Sequence, residues 1–566
     1  MDRSQSAEPS AGGDRLSKLD DRVLGNILSF LPANEAARAA LLSTRWRHVF
    51  AAVHTVSLEE PEPPISDDDY RGGCDSPGCR PPPDPDAPPP FPSAVSAAII
   101  ARQRRRGAVP LRALRISMEG FSASGSESSM VDQWVSYAVQ QAAPDGLDLG
   151  LRLCCRRLLC YGSPPMVPEP DMVLDYPPPP CPVPDPTADV GCESESESDE
   201  DDGSVVSSSD DDRSHRRHDP PRMWLQPEYT IPGVLFSCAE LRSLSLSSCR
   251  LAPPATVSLP SLVTVLLSHV TDAGADVKRL IAGCPRLAGL TLEACDAVTA
   301  LSLLGGARLR RLAIRCCHNL ATVAVDSSEL RAFEYRGAVP DASFLNLRGG
   351  AGMVAYCKVD ICGTEATSEE ELTNLSLFLE LFVNAKHLHL ESARLGAGFD
   401  KDAPTRLAAF SSLRHLEMRG CLPDSDTGVI DAMRSVLDHA PNLEAVSLAF
   451  HPQEHEWDAR DENEIVVFTQ EELLDAHHLS YNPHSVLAVP TSMIPQCLRS
   501  RVREINLVHY HGGMAQRALA KFLLCNAPSV DKLWCEFAEG PMWTQVQLMR
   551  EIRGWLINKS ANAHFA

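Results

Sequence analysis

Side chains that could do chemistry are spread thinly along this chain, and few of them keep company. His509 and His511 alternate as two imidazoles on one strand face would. A metal needs more ligands than that, and no third one clusters with them, so strand-end packing or hydrogen bonding is the better reading. Cys74 and Cys79 lie in a proline-rich stretch without histidines, and the nineteen cysteines contain no Cys-x-x-Cys pair. An odd, scattered set with adjacent members (Cys154 and Cys155, Cys316 and Cys317) reads as reduced, buried thiols of a cytoplasmic or nuclear protein. Ser198–Gly203 lacks what a calcium loop requires at its first, third and twelfth positions. Phosphate loops, dinucleotide glycine fingerprints, His-Glu-x-x-His and nucleophile elbows are absent from the sequence. Arg102, Arg104, Arg105 and Arg106 form a basic run without interleaved aromatics, expected as a solvated helix face. No catalytic, cofactor-binding or metal-ligating residue is expected, and no cofactor.

Charge points the same way. The net charge of −23 argues against a nucleic-acid groove, and ten acids without a base fall in residues 193–212. That tract reads as solubilising. Ser194, Ser196 and Ser198 each have an acid three residues on, which leaves acid-directed phosphorylation as the alternative. The amino terminus is polar, and no segment reaches the roughly 18 apolar residues of a membrane span.

The elements that could carry a function begin at residue 14. Leu19, Val23, Leu24, Ile27, Leu28 and Leu31 recur at helical spacing, and Pro32 is expected to stop that helix. A second helix is expected from about Asn34 to Arg47, with Ala37, Ala40 and Leu41 apolar and Val49 just beyond. Roughly forty residues cannot hide so much apolar surface by themselves. Either the rest of the chain covers it, or a partner does.

The residues here resemble a known family. Leu16-x-x-Leu19-Asp20-x-x-Val23-Leu24, then Ile27-Leu28-Ser29-x-Leu31-Pro32, Leu41-Leu42-Ser43 and Arg45-Trp46-Arg47 are similar to an F-box of the plant F-box/leucine-rich-repeat kind. Asp20 stands where most members have proline; an acid in the first turn suits the helix dipole, and Ser17 could cap ahead of it. The resemblance implies docking to the Skp-type adaptor of cullin–RING ubiquitin ligases, and through it to cullin. The adaptor-facing or interface-supporting set is then Leu16, Leu19, Leu24, Ile27, Leu28, Leu31, Leu41 and Val49, some of which must be the motif's own core.

Beyond this stretch the composition alternates. Residues 1–13 are expected to be disordered and 14–58 to be the F-box. Twelve prolines among residues 61–92 mark a linker over 59–92. A first repeat segment over 93–161 shows helical spacing at Ala94–Arg105 and Val131–Gln141 and strands at Leu111–Ile116 and Leu147–Cys160. A proline-rich and acidic insertion fills 162–222.

A solenoid is expected over 223–450. Leu241-x-x-Leu244-x-Leu246-x-x-Cys249-x-Leu251 fits the leucine-rich-repeat template, and copies start at Leu262, Leu287, Leu309 and Leu330, at intervals of 21, 25, 22 and 21 residues. Ala385, Leu413 and Leu443 start three more. Cys249, Cys295, Cys317 and Cys421 occupy the small buried turn position. Pro285, Pro441 and Pro528 each end a helix and open a strand. The polar positions between the aliphatics (Arg242, Ser245, Thr291, Glu293, Arg311, Arg315, Arg414, Glu417, Arg419) are mixed in charge.

Residues 451–499 read as an irregular connection. Val502–Leu507, His509–Gly513 and Ala520–Pro528 resemble the FBD module that ends many plant F-box/repeat proteins, giving a C-terminal repeat and cap over 500–566, with the helix Val546–Leu556 covering the solenoid end. The expected fold is therefore α/β, a small helical F-box followed by a curved solenoid. The expected function is that of the substrate receptor of an SCF-type ubiquitin ligase, non-catalytic, with an unknown protein target. The alternative is a repeat scaffold that serves no ligase.

Overall fold

The computed structural model describes residues 18–31, 33–39, 46–61, 90–103, 109–119, 121, 125–153, 229–304, 309–326, 328–349, 352–363, 368–399, 408–424, 426, 428–451 and 494–566. Leu16, Leu41, Ser17, Pro32, Cys74, Cys79, Arg104 to Arg106, the acidic serine tract and nearly all of the 451–499 connection lie outside them.

Leucine spacing becomes a single parallel sheet. Its strands are β1 (Thr55–Glu59), β2 (Ala113–Ser117), β3 (Leu147–Arg152), β4 (Leu241–Ser247), β5 (Thr264–Ser268), β6 (Gly289–Glu293), β8 (Arg311–Arg315), β10 (Ala332–Gly337), β12 (Tyr356–Ile361), β13 (His387–Arg394), β14 (His415–Cys421), β15 (Ala445–Phe450), β16 (Glu504–Tyr510), β17 (Lys532–Phe537) and β18 (Asn562–Phe565), in that order. One register row runs through it: Val56, Leu114, Leu149, Leu244, Val265, Leu290, Leu312, Phe333, Cys357, Leu388, Leu416, Val446, Ile505, Leu533 and Ala563. Each member stacks on the next, so every repeat buries its neighbour's aliphatic face.

The length of each return decides what lies behind the sheet. The short returns 294–310, 316–331 and 338–355 hold, among the described residues, only β7 (Ala300–Leu303), β9 (Thr322–Asp326) and β11 (Leu345–Arg348), which pair as a second, three-stranded sheet. Other returns carry helices: α3 (Phe91–Gln103), α4 (Gly125–Gln140), α5 (Gly274–Ala282), α6 (Glu369–Glu380), α7 (Val429–Asp438), α8 (Gln496–Ser500), α9 (Met514–Asn526) and α10 (Met542–Trp555). A Ser368/Glu371 capping box opens α6. Ahead of them lie α1 (Asp21–Leu28), α2 (Ala33–Arg38) and a 3₁₀ turn, Trp46–Ala52.

Strands leave the sheet through a shared device. Ser248, His269, Ala294, Cys316 and His509 all have φ between 46° and 56°, each two residues past an inward aliphatic. Four of these amides continue the ladder, donating to Ser268 O, Glu293 O, Arg315 O and Arg336 O at 2.6–2.9 Å. A bond gained there offsets the strain of a left-handed non-glycine residue. Cys249, Cys295 and Cys317 follow immediately and are buried, whereas Cys421 is half-buried.

Several expectations change. β12 was not expected: Val354-x-x-Cys357-x-Val359-x-x-Cys362 fits the template once cysteine may stand for leucine, and Cys357 is fully buried. The strand expected to run from Leu147 to Cys160 ends at Arg152. The C-terminal helix is followed by β18, so a strand, not the helix, comes last in the sheet. Most consequentially, β1 starts at Thr55, within the expected F-box, and pairs along its length with β2. No linker stands between the helical segment and the sheet; residues 62–89 fall between β1 and α3.

Candidate partner-binding surfaces

Asp20, with an extended φ/ψ of −63°/149°, is the N-cap of α1, and Leu24 N donates to its carbonyl at 3.0 Å. It ends at Ser29, before the proline expected to stop it; Ser29 N and Oγ both reach Gly25 O, at 2.9 and 2.7 Å. Leu24, Leu28, Ala36, Val49 and Val53 form a small separate core, with Leu19, Ala39 and Phe50 partly buried against it. Gly25 lets α1 lie on the 3₁₀ turn: a Cβ there would stand 2.3 Å from Ala52 O.

The expected adaptor set thereby divides. Leu24, Leu28 and Val49 are core, Leu19 is half-buried, and Ile27 and Leu31 are 43% and 40% exposed. Two further residues share that outer face, Val23 at 43% and Phe30 at 89%. Val23, Ile27, Phe30 and Leu31 are spaced i, i+4, i+7, i+8, one stripe of a helix and its following turn. The spacing was visible in the sequence; which of two apolar stripes faces inward was not.

A buried arginine fastens this unit to the sheet. Arg102, expected on a solvated helix face, is 1% exposed. From α3 its Nε and Nη2 donate to Val53 O at 3.2 and 3.0 Å, its Nη1 to Tyr137 Oη at 2.7 Å, and Nη2 also to Val109 O. Glu60 N donates to Ser117 O at 2.9 Å just past β1.

The polar face of the sheet is the second surface. Charged side chains between the aliphatics pair across neighbouring strands. Glu334 accepts from Arg311 and, at 2.7 Å, from Arg315, whose other nitrogen reaches Glu293 at 2.6 Å. Burial raises the Glu334 carboxyl, but the two arginines outweigh it and leave its pKa lowered. Arg336 stands 3.3 Å from Asp360, and Lys358 3.1 Å from Glu391. Glu391 also has His389 and His451 at 3.6 Å, and His389 lies 3.4 Å from Glu417. His389 and then Lys358 hold Glu391 down to about 2, while burial, with Glu391 nearby, pushes Asp360 up to about 6.

Arg311, Arg315, Glu293, Glu417 and Arg419 belong to this network as the sequence suggested. Arg414 instead precedes β14 and pairs with Glu444. Glu334 and His389 were missed although each sits between two inward apolar residues of a recognised repeat, Phe333 and Tyr335 for the first and Leu388 and Leu390 for the second; Lys358 and Asp360 were missed with β12. His509 faces Glu536 at 3.7 Å, and His511 N donates to Gln516 Oε1. Among the described residues no three His, Cys, Asp or Glu side chains are placed to hold a metal ion, and no helix is long and apolar enough to cross a membrane.

Comparison with known proteins covers the segments that carry both surfaces. The F-box domain model matches residues 16–54, ending where β1 begins, and the LRR domain model of At1g61320/AtMIF1 matches 222–482. The chain carries an F-box and a leucine-rich-repeat domain. Among similar proteins of Arabidopsis thaliana, the F-box/LRR-repeat protein At3g59200 is 42% identical over 60 residues, 11% of this chain and 10% of the relative. The F-box/LRR-repeat protein At2g42720 is 50% identical over 46 residues, 8% and 10% of the two chains, and the putative F-box protein At2g39415 is 46% identical over 48 residues, 8% and 40%. The match thus spans about a tenth of the first two relatives' length. The F-box proper is the α1/α2/3₁₀ unit, and the repeat sheet starts before the repeat model's match does, at β1.

Proposed function

We propose that this chain is the substrate-receptor subunit of an SCF-type cullin–RING ubiquitin ligase. The observation that carries the reading is the stripe Val23, Ile27, Phe30 and Leu31 on the F-box: contiguous apolar side chains left in water mark a docking surface. There the Skp-type adaptor binds, and cullin through it. The polar face of the repeats recruits a protein target, and binding raises the concentration of its lysines near the ubiquitin-charged enzyme. The chain itself breaks no bond and needs no cofactor. All twelve described cysteines are free thiols, which suits a reducing cytoplasm or nucleus. The FBD-like stretch 500–566 serves as the last repeats of the same sheet.

The test is co-purification of the full chain with a Skp-type adaptor. Ile27→Asp combined with Phe30→Asp places two charges on the outer stripe and none in the core, so adaptor binding is expected to vanish with the melting temperature unchanged. Leu28→Asp is the wrong probe, because Leu28 belongs to the F-box core. Full adaptor binding by the Ile27/Phe30 variant rejects the assignment and leaves the repeat scaffold without a ligase.

A further inference from the structure

Helix α1 has a third face. Arg22 and Asn26, one turn apart, line a cavity of ≈ 500 Å³ whose other wall includes His54, Arg112 and Asp145 of the F-box exit and the first repeats. Its charge is one-sided. Arg112 Nη2 lies 2.7 Å from Asp145 Oδ2, but Arg22 has neither an ion pair nor a hydrogen bond among the described residues. Behind the wall sits Arg102, buried on three neutral oxygens and, among the described residues, paired with no carboxylate. A buried guanidinium without a counter-charge projects a positive potential into whatever lies beside it.

His54 registers that potential. Burial first, then Arg112, with a smaller push from Arg102, holds its imidazole below the ordinary value, and only Asp145 opposes them. Nδ1 faces Thr55 Oγ1 at 3.1 Å, and Nε2 makes no hydrogen bond among the described residues. Two arginines and one aspartate therefore line the hollow, with a third arginine behind its wall, in a chain whose net charge is −23.

The geometry points to a binding site for a small soluble anion of the phosphate class, held by Arg22, His54 and Arg112 with Asn26 beside it. Guanidinium forks match phosphate oxygens in pairs, which a chloride ion cannot exploit. The volume falls within the roughly 300–1,000 Å³ of small-molecule sites, so it admits a phosphomonoester of a small molecule as well as the free anion. Because the walls come from α1 and from the first repeats, an occupant braces the F-box against the sheet and stabilises the folded chain by mass action. Asp145 competes with it for Arg112. Nothing here depends on whether an adaptor binds the neighbouring Val23/Ile27 face of α1.

The experiment is calorimetric titration of the full chain with inorganic phosphate and with pyrophosphate at constant ionic strength, each followed by a thermal melt. Saturable binding and a raised melting temperature are expected with at least one probe. Arg22→Gln and His54→Gln should each weaken it about tenfold, the loss of one charge-assisted hydrogen bond. Arg22→Lys, which keeps the charge, should retain most of it. Asp145→Asn should bind several-fold more tightly, since it frees Arg112, and a variant that merely loosens the fold cannot do that. Absence of saturable binding by either probe up to about 10 mM, a range that covers even very weak sites, overturns the proposal. So does equal affinity in wild type and both glutamine variants, or weaker binding by Asp145→Asn.

Discussion

Arg102 grips the carbonyl of Val53 with two nitrogens of one guanidinium, Nε at 3.2 Å and Nη2 at 3.0 Å. Val53 belongs to the F-box core and Arg102 to the helix behind β2, so this contact, with β1 beside it, makes the F-box continuous with the repeats. Arg102→Met leaves the Val53 and Val109 carbonyls and the Tyr137 hydroxyl short of a donor, at a cost of about 3 kcal/mol. Denaturant unfolding should report that loss, and hydrogen exchange should quicken over residues 49–56. Arg102→Lys should recover less than half, because a single ammonium nitrogen cannot reach oxygens that three separate guanidinium nitrogens now meet. A methionine variant as stable as wild type would show that the contact contributes nothing.

Gly25→Ala should destabilise the F-box even though alanine is the better helix former by about 1 kcal/mol. The added carbon would stand 2.3 Å from Ala52 O, against backbone that cannot swing aside. The helix must shift off the 3₁₀ turn, as in other overpacked sites that cost about 1–3 kcal/mol. The melting temperature is the readout, and a rise would contradict the close approach.

Glu334→Gln tests the ladder on the sheet. Its carboxylate, 7% exposed, is shared by Arg311 and Arg315, so the amide leaves two cations facing a neutral group. The arginines left behind keep water, with side chains 58% and 34% exposed, so breaking the pairs from the carboxylate side costs about 1–2 kcal/mol. Since the native pKa of Glu334 is lowered, its contribution is present above the unfolded value near 4.5 and is lost as pH falls through the lower native value. The difference in urea midpoint between wild type and variant should therefore be smaller at pH 3 than at pH 7.

Asp360 behaves oppositely. Its native pKa, about 6, lies above the ordinary carboxyl value, so the folded chain holds the proton more tightly and stability declines as pH rises through the interval from about 4 to 6. Asp360→Asn removes that decline and should be the more stable protein at pH 7.5, by about 1–2 kcal/mol after the lost Arg336 pair is counted. Thermal melts between pH 4 and 8 give the answer; an aspartate chain more stable than the asparagine variant at pH 7.5 would refute it.

Much of this molecule was legible from spacing. The eight expected repeat starts all lead into strands of one sheet, and the helices expected before Pro285, Pro441 and Pro528 and at Val546 are present. A period of two inside a period of about twenty-two leaves few alternatives, because each unit can bury its aliphatics only on the next. β12 escaped because Cys357 fills a leucine position, and β18 because Asn562–Phe565 carries little apolar signal.

For the functional surfaces, the sequence alone determined that α1 is apolar around too much of its circumference to be isolated and that polar residues alternate with the sheet's aliphatics. Only the tertiary structure decided which α1 side chains are core and which stay in water, since Leu24 and Ile27 are chemically alike and differ only in what packs over them. It also turned Arg102 from an expected surface charge into the buried fastener of the F-box. A proline-rich stretch reads as a tether until one flank proves to be a strand of the sheet, β1, and the other a helix in the same core, α3. Local periodicity reports what must be buried; the partner that buries it comes from residues tens to hundreds of positions away, where no local pattern reaches.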